Sequence, residues 1–247
     1  MAARERECVR VAGPDAADYL QRMVSNDVEA LSAGEACPAL LLTAKARVIA
    51  PLVVLRRGDD DFLLLTEPGL GELVGAHLTR MRLRARCEIV PEEHEAVLVF
   101  GSTDGFATDW PVAREALDAG LQPTLSKEEL ELRRIESAVP RWEREIDDRI
   151  LPAEAGLDQT HVSFSKGCYP GQEPVARLHF RGHPNRGLRV VELDEVPGYD
   201  APLVHDGREV GRVTSAARRE DGTVVGLAYV RTEVPDDAPL ALAARTG

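Results

Sequence analysis

Ser165-Lys166-Gly167-Cys168-Tyr169-Pro170-Gly171-Gln172-Glu173 is the stretch from which the rest of the chain is best read. It sets a cysteine among glycines, near a lysine, with an amide and a carboxylate four and five residues on. Gly and Pro at this density mark a loop and not the interior of a helix or strand. A thiol on such a loop is more reachable than one inside an apolar run, and the nearby Lys166 ammonium favours the thiolate, the form that attacks and ligates. A free cysteine is more commonly a small buried hydrophobe. The Gly, Pro, Gln and Glu around Cys168 favour an exposed functional loop.

The wording of this loop, Lys166-Gly167-Cys168-Tyr169-x-Gly171-Gln172-Glu173, resembles the signature of the YgfZ-like folate-binding proteins, relatives of the glycine cleavage T-protein (aminomethyltransferase). The resemblance continues on both sides. Arg134-Ile135-Glu136 with Pro140, Glu145-Ile146 and Leu151-Pro152-Ala153-Glu154-Ala155-Gly156-Leu157 precede the loop, and Val175-Ala176-Arg177 and Arg181-Gly182 follow it. Near the start, Gly13-Pro14-Asp15-Ala16, Ser25-Asn26-Asp27-Val28 and Leu41-Leu42-Thr43-Ala44-Lys45 are also similar to the family.

The resemblance implies an α+β, T-protein-like architecture around a central folate pocket. A discontinuous folate-binding domain would combine residues 1–45 with 126–181, an inserted α+β domain would occupy 46–125, and a small C-terminal β-barrel would occupy 182–247. It also implies roles. Glu136 resembles the glutamate that hydrogen-bonds the pterin, and a carboxylate can accept two parallel bonds from an aminopyrimidine edge as it does from an arginine fork. The loop residues Lys166, Tyr169, Gln172 and Glu173 would border the pocket, and Arg177 would pair with the glutamate tail of tetrahydrofolate. Two departures stand out. Ala138 replaces a glycine that the family often has. The segment Thr66-Glu67-Pro68-Gly69-Leu70-Gly71-Glu72 lacks the T-protein's catalytic aspartate, and Cys168 stands where the T-protein pattern has an aspartate.

Composition sets the outer limits. At 247 residues the chain is long enough for two or three compact units. A net charge of −12 argues against a non-specific grip on nucleic acid, which needs clustered Lys and Arg. Arg177, Arg181, Arg186 and Arg189 lie close in sequence and read either as a solvated, charge-mixed surface or as a patch for a small anion. The four cysteines, Cys8, Cys37, Cys87 and Cys168, are widely spaced with no Cys/His pattern for zinc, so no metal site is expected. A chain of this size needs no disulfide staples. The first residues lack the apolar core of a signal peptide, and the longest near-apolar run, Val48 to Leu55, contains a proline and is too short for a bilayer. A cytoplasmic protein with no membrane contact is expected.

Pattern along the chain gives the coarse elements. Glu7 to Val11 alternates as a strand, and Pro14 opens a helix with Ala16, Leu20, Met23 and Val24 at helical spacing. Pro38 to Thr43 and Val48 to Leu55 read as buried strands, the second turning through Gly58-Asp59-Asp60 into Phe62 to Thr66. A helix from about Leu70 to Met81 and strands at Cys87–Val90 and Ala96–Phe100 follow. Gly101 to Pro123 is looser. Ser126 with Glu129 forms a capping box ahead of Leu130, Leu132 and Ile135. Pro140 to Pro184 reads as a long irregular region. Beyond Leu188, short alternating strands with Asp206-Gly207 and Asp221-Gly222 turns form hairpins.

Three other patterns yield little. Gly69-Leu70-Gly71-Glu72-Leu73-Val74-Gly75 imitates a dinucleotide fingerprint, but its spacing is one residue too long and no βαβ unit follows. His179, Arg181 and His183 would share one face if they lay on a strand, but they lack a third metal ligand. His161 or His179 could serve Cys168 as a base, with no orienting third group in sight.

Three functions follow from these readings. The first is a tetrahydrofolate-binding protein that supports iron–sulfur cluster assembly or repair, and through it tRNA-modifying radical enzymes. Its partners would be iron–sulfur enzymes or assembly proteins, and Cys168 its nucleophile or a transient cluster ligand shared with a partner. The second is an aminomethyltransferase-like one-carbon transfer enzyme, which the missing aspartate weighs against. The third is a folate-binding module without chemistry.

Overall fold

A computed structural model describes residues 1–243. The chain opens with strands β1 (Ala2–Arg4) and β2 (Glu7–Ala12) and helix α1 (Ala16–Met23). Strands β3 (Ala36–Leu42), β4 (Val48–Gly58) and β5 (Asp61–Thr66) lead to helix α2 (Gly71–Met81). Four strands follow: β6 (Glu88–Glu92), β7 (Ala96–Phe100), β8 (Phe106–Ala107) and β9 (Ala113–Leu117). Then comes α3 (Lys127–Glu136) and, after two short 3-10 turns, α4 (Gln172–Arg181). The last strands are β10 (Arg186–Leu193), β11 (Ala201–His205), β12 (Arg208–Arg218), β13 (Val224–Arg231) and β14 (Ala241–Leu242). No helix among the described residues is long and apolar enough to cross a membrane.

Three antiparallel sheets organise these elements: β3-β4-β5-β2-β6, β1-β7-β9-β8 and β10-β13-β12-β11-β14. The first is covered on both faces, which explains the uninterrupted apolar runs that build it. Side chains of alternate parity part company across it. Ala50, Leu52, Val54, Phe62 and Leu64 pack with α1 and α2, while Val53, Leu55, Leu63 and Leu65 meet Phe106 of the second sheet. Leu40, Leu42 and Val48 pack against Ile146, Ile150, Tyr169 and Val175 from the region around the cysteine loop. The domain division expected between residues 45 and 46 falls between β3 and β4, two paired neighbours of this sheet. The region expected to be a barrel is a five-stranded sheet with β10 and β14 at its edges.

Local chemistry accounts for most of the boundaries. The capping box forms as expected, with Ser126 Oγ accepting from the Glu129 N–H and the Ser126 N–H donating to Glu129 Oε2. Asp206 and Gly207 both take positive φ in the tight turn joining β11 to β12, as a two-residue hairpin of this hand requires. Two expectations need correction. Gly101–Pro123 contains β8 and β9, too short to leave a pattern. The region 140–184 is not irregular throughout, since α4 lies within it. Gly171 is the N-cap of α4 and Pro174 sits in its first turn, where a missing N–H costs nothing. The residues that mark a loop also mark a helix start. His179 and Arg181 are therefore helical and do not share a strand face.

α3 is clasped between the second and third sheets. Its Ile135 packs on Val225 and Leu227, while Leu130 lies against the cluster of Trp110 and Val139. Arg134 anchors this arrangement. Its guanidinium donates to Glu145 Oε2 at 3.0 Å, Ser215 Oγ at 2.6 Å, the Val139 carbonyl at 2.7 Å and both oxygens of Glu131. Ser215 and the Arg141 N–H also donate to the Glu145 carboxylate. Glu145 is fully buried.

Two substitutions test this account. Glu145→Ala leaves the buried Arg134 with Glu131 as its remaining counter-charge and strands the donors of Ser215 and the Arg141 N–H, so equilibrium unfolding in urea is expected to show a loss of about 1–3 kcal/mol. Ala138 has φ of +52°, a left-handed conformation that costs a side-chain-bearing residue about 1–2 kcal/mol. Ala138→Gly should therefore raise stability by about 0.5–1 kcal/mol, after the entropy that glycine adds to the unfolded chain.

Candidate functional site

The chain immediately after α3 carries Arg141 and Trp142 into a cleft among the three sheets. One lobe, of about 310 Å³, is lined by Arg4 from β1, Glu67 after β5, Trp110 ahead of β9, Glu131 and Arg134 of α3, and Trp142. A second lobe, of about 330 Å³, shares Glu131 and Arg141 with the first and extends to Tyr199 and to Thr214 and Ser215 of β12. Cavities of this size and position, at the meeting of several structural units, are usual for small-molecule ligands. The chain has only two tryptophans, and both line the first lobe.

Two buried donors in this lobe have no hydrogen-bond partner: Trp110 Nε1 and Arg4 Nε. Buried polar groups are normally satisfied, so an orphaned pair on two residues that line one cavity marks a place where an acceptor is missing. Behind them lies a buried ionic cluster. Arg6 donates to both oxygens of Glu115 at 2.9 Å and to Asp109 Oδ1 at 2.9 Å, and Arg4 donates to Glu67 and Asp109. Burial alone would raise the Asp109 carboxyl, but Arg6 and Arg4 more than reverse this and hold it well below the usual range. The cluster ties β1 and β2 to the segment carrying Trp110.

The cysteine loop forms a different place. Cys168 is exposed, Cys37 is half-buried, and Cys8 and Cys87 are buried. Burial pushes the Cys8 thiol up to about 11 and the Cys37 thiol up to about 12. Of the four thiols, Cys168 alone meets solvent freely. Lys166 does not face it. The Lys166 Nζ is turned inward and donates to the carbonyls of Val24 and Asn26 at 2.8 and 2.6 Å, stapling the loop to the chain after α1. Burial lowers the Lys166 ammonium to about 8. The expectation that Lys166 promotes the Cys168 thiolate is corrected accordingly, because Gly167 separates a buried side chain from an exposed one. Neither His161 nor His179 hydrogen-bonds Cys168. His161 is buried and bonds Thr160 Oγ1, while His179 stacks on Phe164 at 3.9 Å and meets Asp158.

Tyr169, Gln172, Glu173 and Arg177 line one cavity of about 410 Å³, together with Ala44 and Gly171. None of these residues lines the central cleft. Glu136 lines neither. It sits at the exposed end of α3, where Arg219 donates to its Oε1 at 2.8 Å. The residues that sequence reasoning missed as a group are Arg4, Glu67, Trp110, Glu131, Arg141 and Trp142. The signal was the pair of tryptophans, the only two in the chain. No cluster of His, Cys, Asp and Glu suited to a metal occurs among the described residues. The dinucleotide-like glycines are accounted for internally, since the Gly69 and Gly71 N–H groups donate to the carboxylate of Glu7.

Comparison with known proteins finds similarity along nearly the whole chain. The family described as GCVT N-terminal domain matches residues 5–103. The chain superposes on the glycine cleavage system aminomethyltransferase T of Bartonella henselae with a TM-score of 0.82 at 16% identity, covering 98% of this chain and 81% of that one. The fold is shared with that aminomethyltransferase. Among curated proteins, the tRNA-modifying protein YgfZ of Edwardsiella ictaluri is 28% identical, covering 94% of this chain and 84% of its own length. The mitochondrial iron-sulfur cluster assembly factor IBA57 homolog of Neurospora crassa is 23% identical, covering 95% of this chain and 70% of its own. The similarity to the YgfZ proteins runs along nearly the whole chain.

The ionic cluster behind Trp110 makes a pH-dependent prediction. Burial depresses His161 from 6.5 to about 4, so between those values the unfolded chain binds a proton that the folded chain refuses. Stability is complete above about pH 6.5 and falls as the pH drops toward 4, by about 3 kcal/mol from this group. Urea midpoints measured across that window should fall in the wild type and flatten in His161→Gln.

Proposed function

We propose that this chain binds tetrahydrofolate in the central cleft and supports iron–sulfur cluster assembly or repair, and through it enzymes that modify tRNA, with Cys168 as its working thiol. The observation that carries the folate half is the pair of orphaned donors, Trp110 Nε1 and Arg4 Nε, in a lobe that also holds both tryptophans. A pterin offers a flat face to an indole and ring acceptors to such donors. Arg141 and Lys127 supply cations for the carboxylates of its tail. When bound, tetrahydrofolate is the carrier of one-carbon chemistry, and these side chains bind and orient it. The two-lobed shape of the cleft suits a ligand with two ring systems. The cellular role rests on the relatives, one named for tRNA modification and one for iron–sulfur cluster assembly.

Glu67 bears on the transferase alternative. It lies in the cleft, near where the T-protein resemblance would seek an aspartate, but Arg4 donates to its Oε1 and Arg6 lies at 3.6 Å. A carboxylate so engaged is poorly placed to take a proton from a substrate amine, and the non-transferase reading is preferred.

Titration calorimetry with tetrahydrofolate tests the site. Wild type is expected to bind, Trp142→Ala to bind at least roughly tenfold more weakly, and Glu136→Ala to bind as wild type does. Loss of binding in Glu136→Ala with retention in Trp142→Ala would move the pterin out of the cleft, and absence of binding to the wild type would end the folate reading.

A further inference from the structure

The cavity beside Cys168 has the features of an anion site. Tyr169 lines it, is only 7% exposed, and its hydroxyl has no hydrogen-bond partner. Burial raises that hydroxyl to about 12, so it remains a donor. The floor is the first turn of α4, whose N-cap, Gly171, supplies no side-chain cap. Pro174 has no N–H and the Gln172 N–H donates to the Tyr169 carbonyl, so the Glu173 N–H and the helix dipole are what favour negative charge there. The close fit depends on glycine. Gly171 has φ of +83°, and a Cβ there would lie 2.6 Å from the Thr43 carbonyl oxygen, so any other residue would push away the turn carrying Ala44.

Charge points the same way. Arg177 lines the cavity, Arg181 follows it one turn along α4, and Lys45 stands next to Ala44. None of the three has an ion-pair partner among the described residues, although most arginines of this acidic chain are paired. Glu173, at the cavity edge, is the opposing charge. Arg177, the start of α4 and Tyr169 with its orphaned hydroxyl therefore line a cavity whose Tyr169 is the chain neighbour of Cys168, the one freely exposed thiol.

We propose that this cavity holds the carboxylates of a small acidic disulfide and presents its sulfur to Cys168, giving a mixed disulfide. This rests on the reading of Cys168 as the working thiol and is independent of folate. Cys168 releases its proton to solvent and its Sγ attacks one sulfur of the incoming disulfide. The S–S bond of the reagent breaks as the new one forms, and the second sulfur leaves as a thiolate that takes up a proton. The incoming disulfide is the oxidant, and the released thiol is its reduced half.

The test is the rate of Cys168 modification by oxidised glutathione, neutral hydroxyethyl disulfide and cationic cystamine, followed by intact mass. Each rate is divided by that of the same reagent with a short unstructured cysteine peptide, and Cys168→Ser serves as the blank. A net charge of −12 would by itself disfavour the anionic reagent. The expected result is the reverse, with oxidised glutathione favoured over the neutral disulfide by roughly tenfold or more. Arg177→Gln and Tyr169→Phe should each lose most of that preference while keeping the neutral rate. Equal normalised rates for the anionic and neutral reagents, or a preference unchanged in both variants, overturns the proposal and leaves the working-thiol reading intact. A Cys168 inert to all three reagents overturns both.

Discussion

The ion pair between Arg134 and Glu145 is the constraint on which the arrangement of this protein turns. Neither side chain reaches solvent appreciably. Charges so placed are tolerable only when each is paired and its remaining hydrogen-bonding capacity is used, and here both conditions hold. The four groups that satisfy Arg134 come from α3, the chain after it and β12. The groups that satisfy Glu145 come from the same places. The main chain of Glu145 adds a tie, its carbonyl accepting from the Tyr229 hydroxyl of β13 at 2.6 Å. An ion pair thereby fixes the third sheet against α3. The residues between its two partners include Arg141 and Trp142, so the same pair sets one wall of the central cleft.

The opposite wall depends on a second buried ionic cluster. Arg6 and Arg4 gather Glu67, Asp109 and Glu115 from three separate segments. Its members satisfy one another more fully than the donors at its edge. Arg4 uses its terminal nitrogen on the cluster and leaves Nε unpaired at the cleft, where Trp110 Nε1 is also unpaired. An ionic scaffold whose unsatisfied donors sit on cleft-lining residues has little side-chain freedom left to lose were an acceptor to reach them.

How much of this was legible in the sequence depended on the range of the physics involved. The strands of the first sheet could be read because burial on both faces leaves continuous apolar runs, and α3 because its capping box is local. The left-handed residue at Ala138 was foreshadowed by its departure from the glycine common in the family. α4 was lost because Gly171 and Pro174 serve a helix start as readily as a loop. The surroundings of Glu136 were not legible from its motif. Its neighbour two positions earlier, Arg134, points into the protein, while Glu136 ends α3 outside and is held there by Arg219, a residue 83 positions away that no local pattern announces. Trp110 and Trp142 meet only through tertiary packing, so each looks unremarkable alone.

The two cavities separate what the motif seemed to unite. The cysteine loop and the family's glutamate suggested one folate pocket bordered by a thiol, yet the loop residues enclose a space that shares no lining residue with the central cleft. Lys166 explains how they remain distinct. By committing its ammonium to the Val24 and Asn26 carbonyls, it pins the loop to the chain following α1 and leaves Cys168 facing outward on the far side of Gly167. A thiol held this way can meet a disulfide or a partner's cluster without displacing anything bound in the cleft. Any coupling between ligand and thiol must then pass through the packed core joining them, where Tyr169 and Ile146 belong to one cluster and Trp142 packs against it.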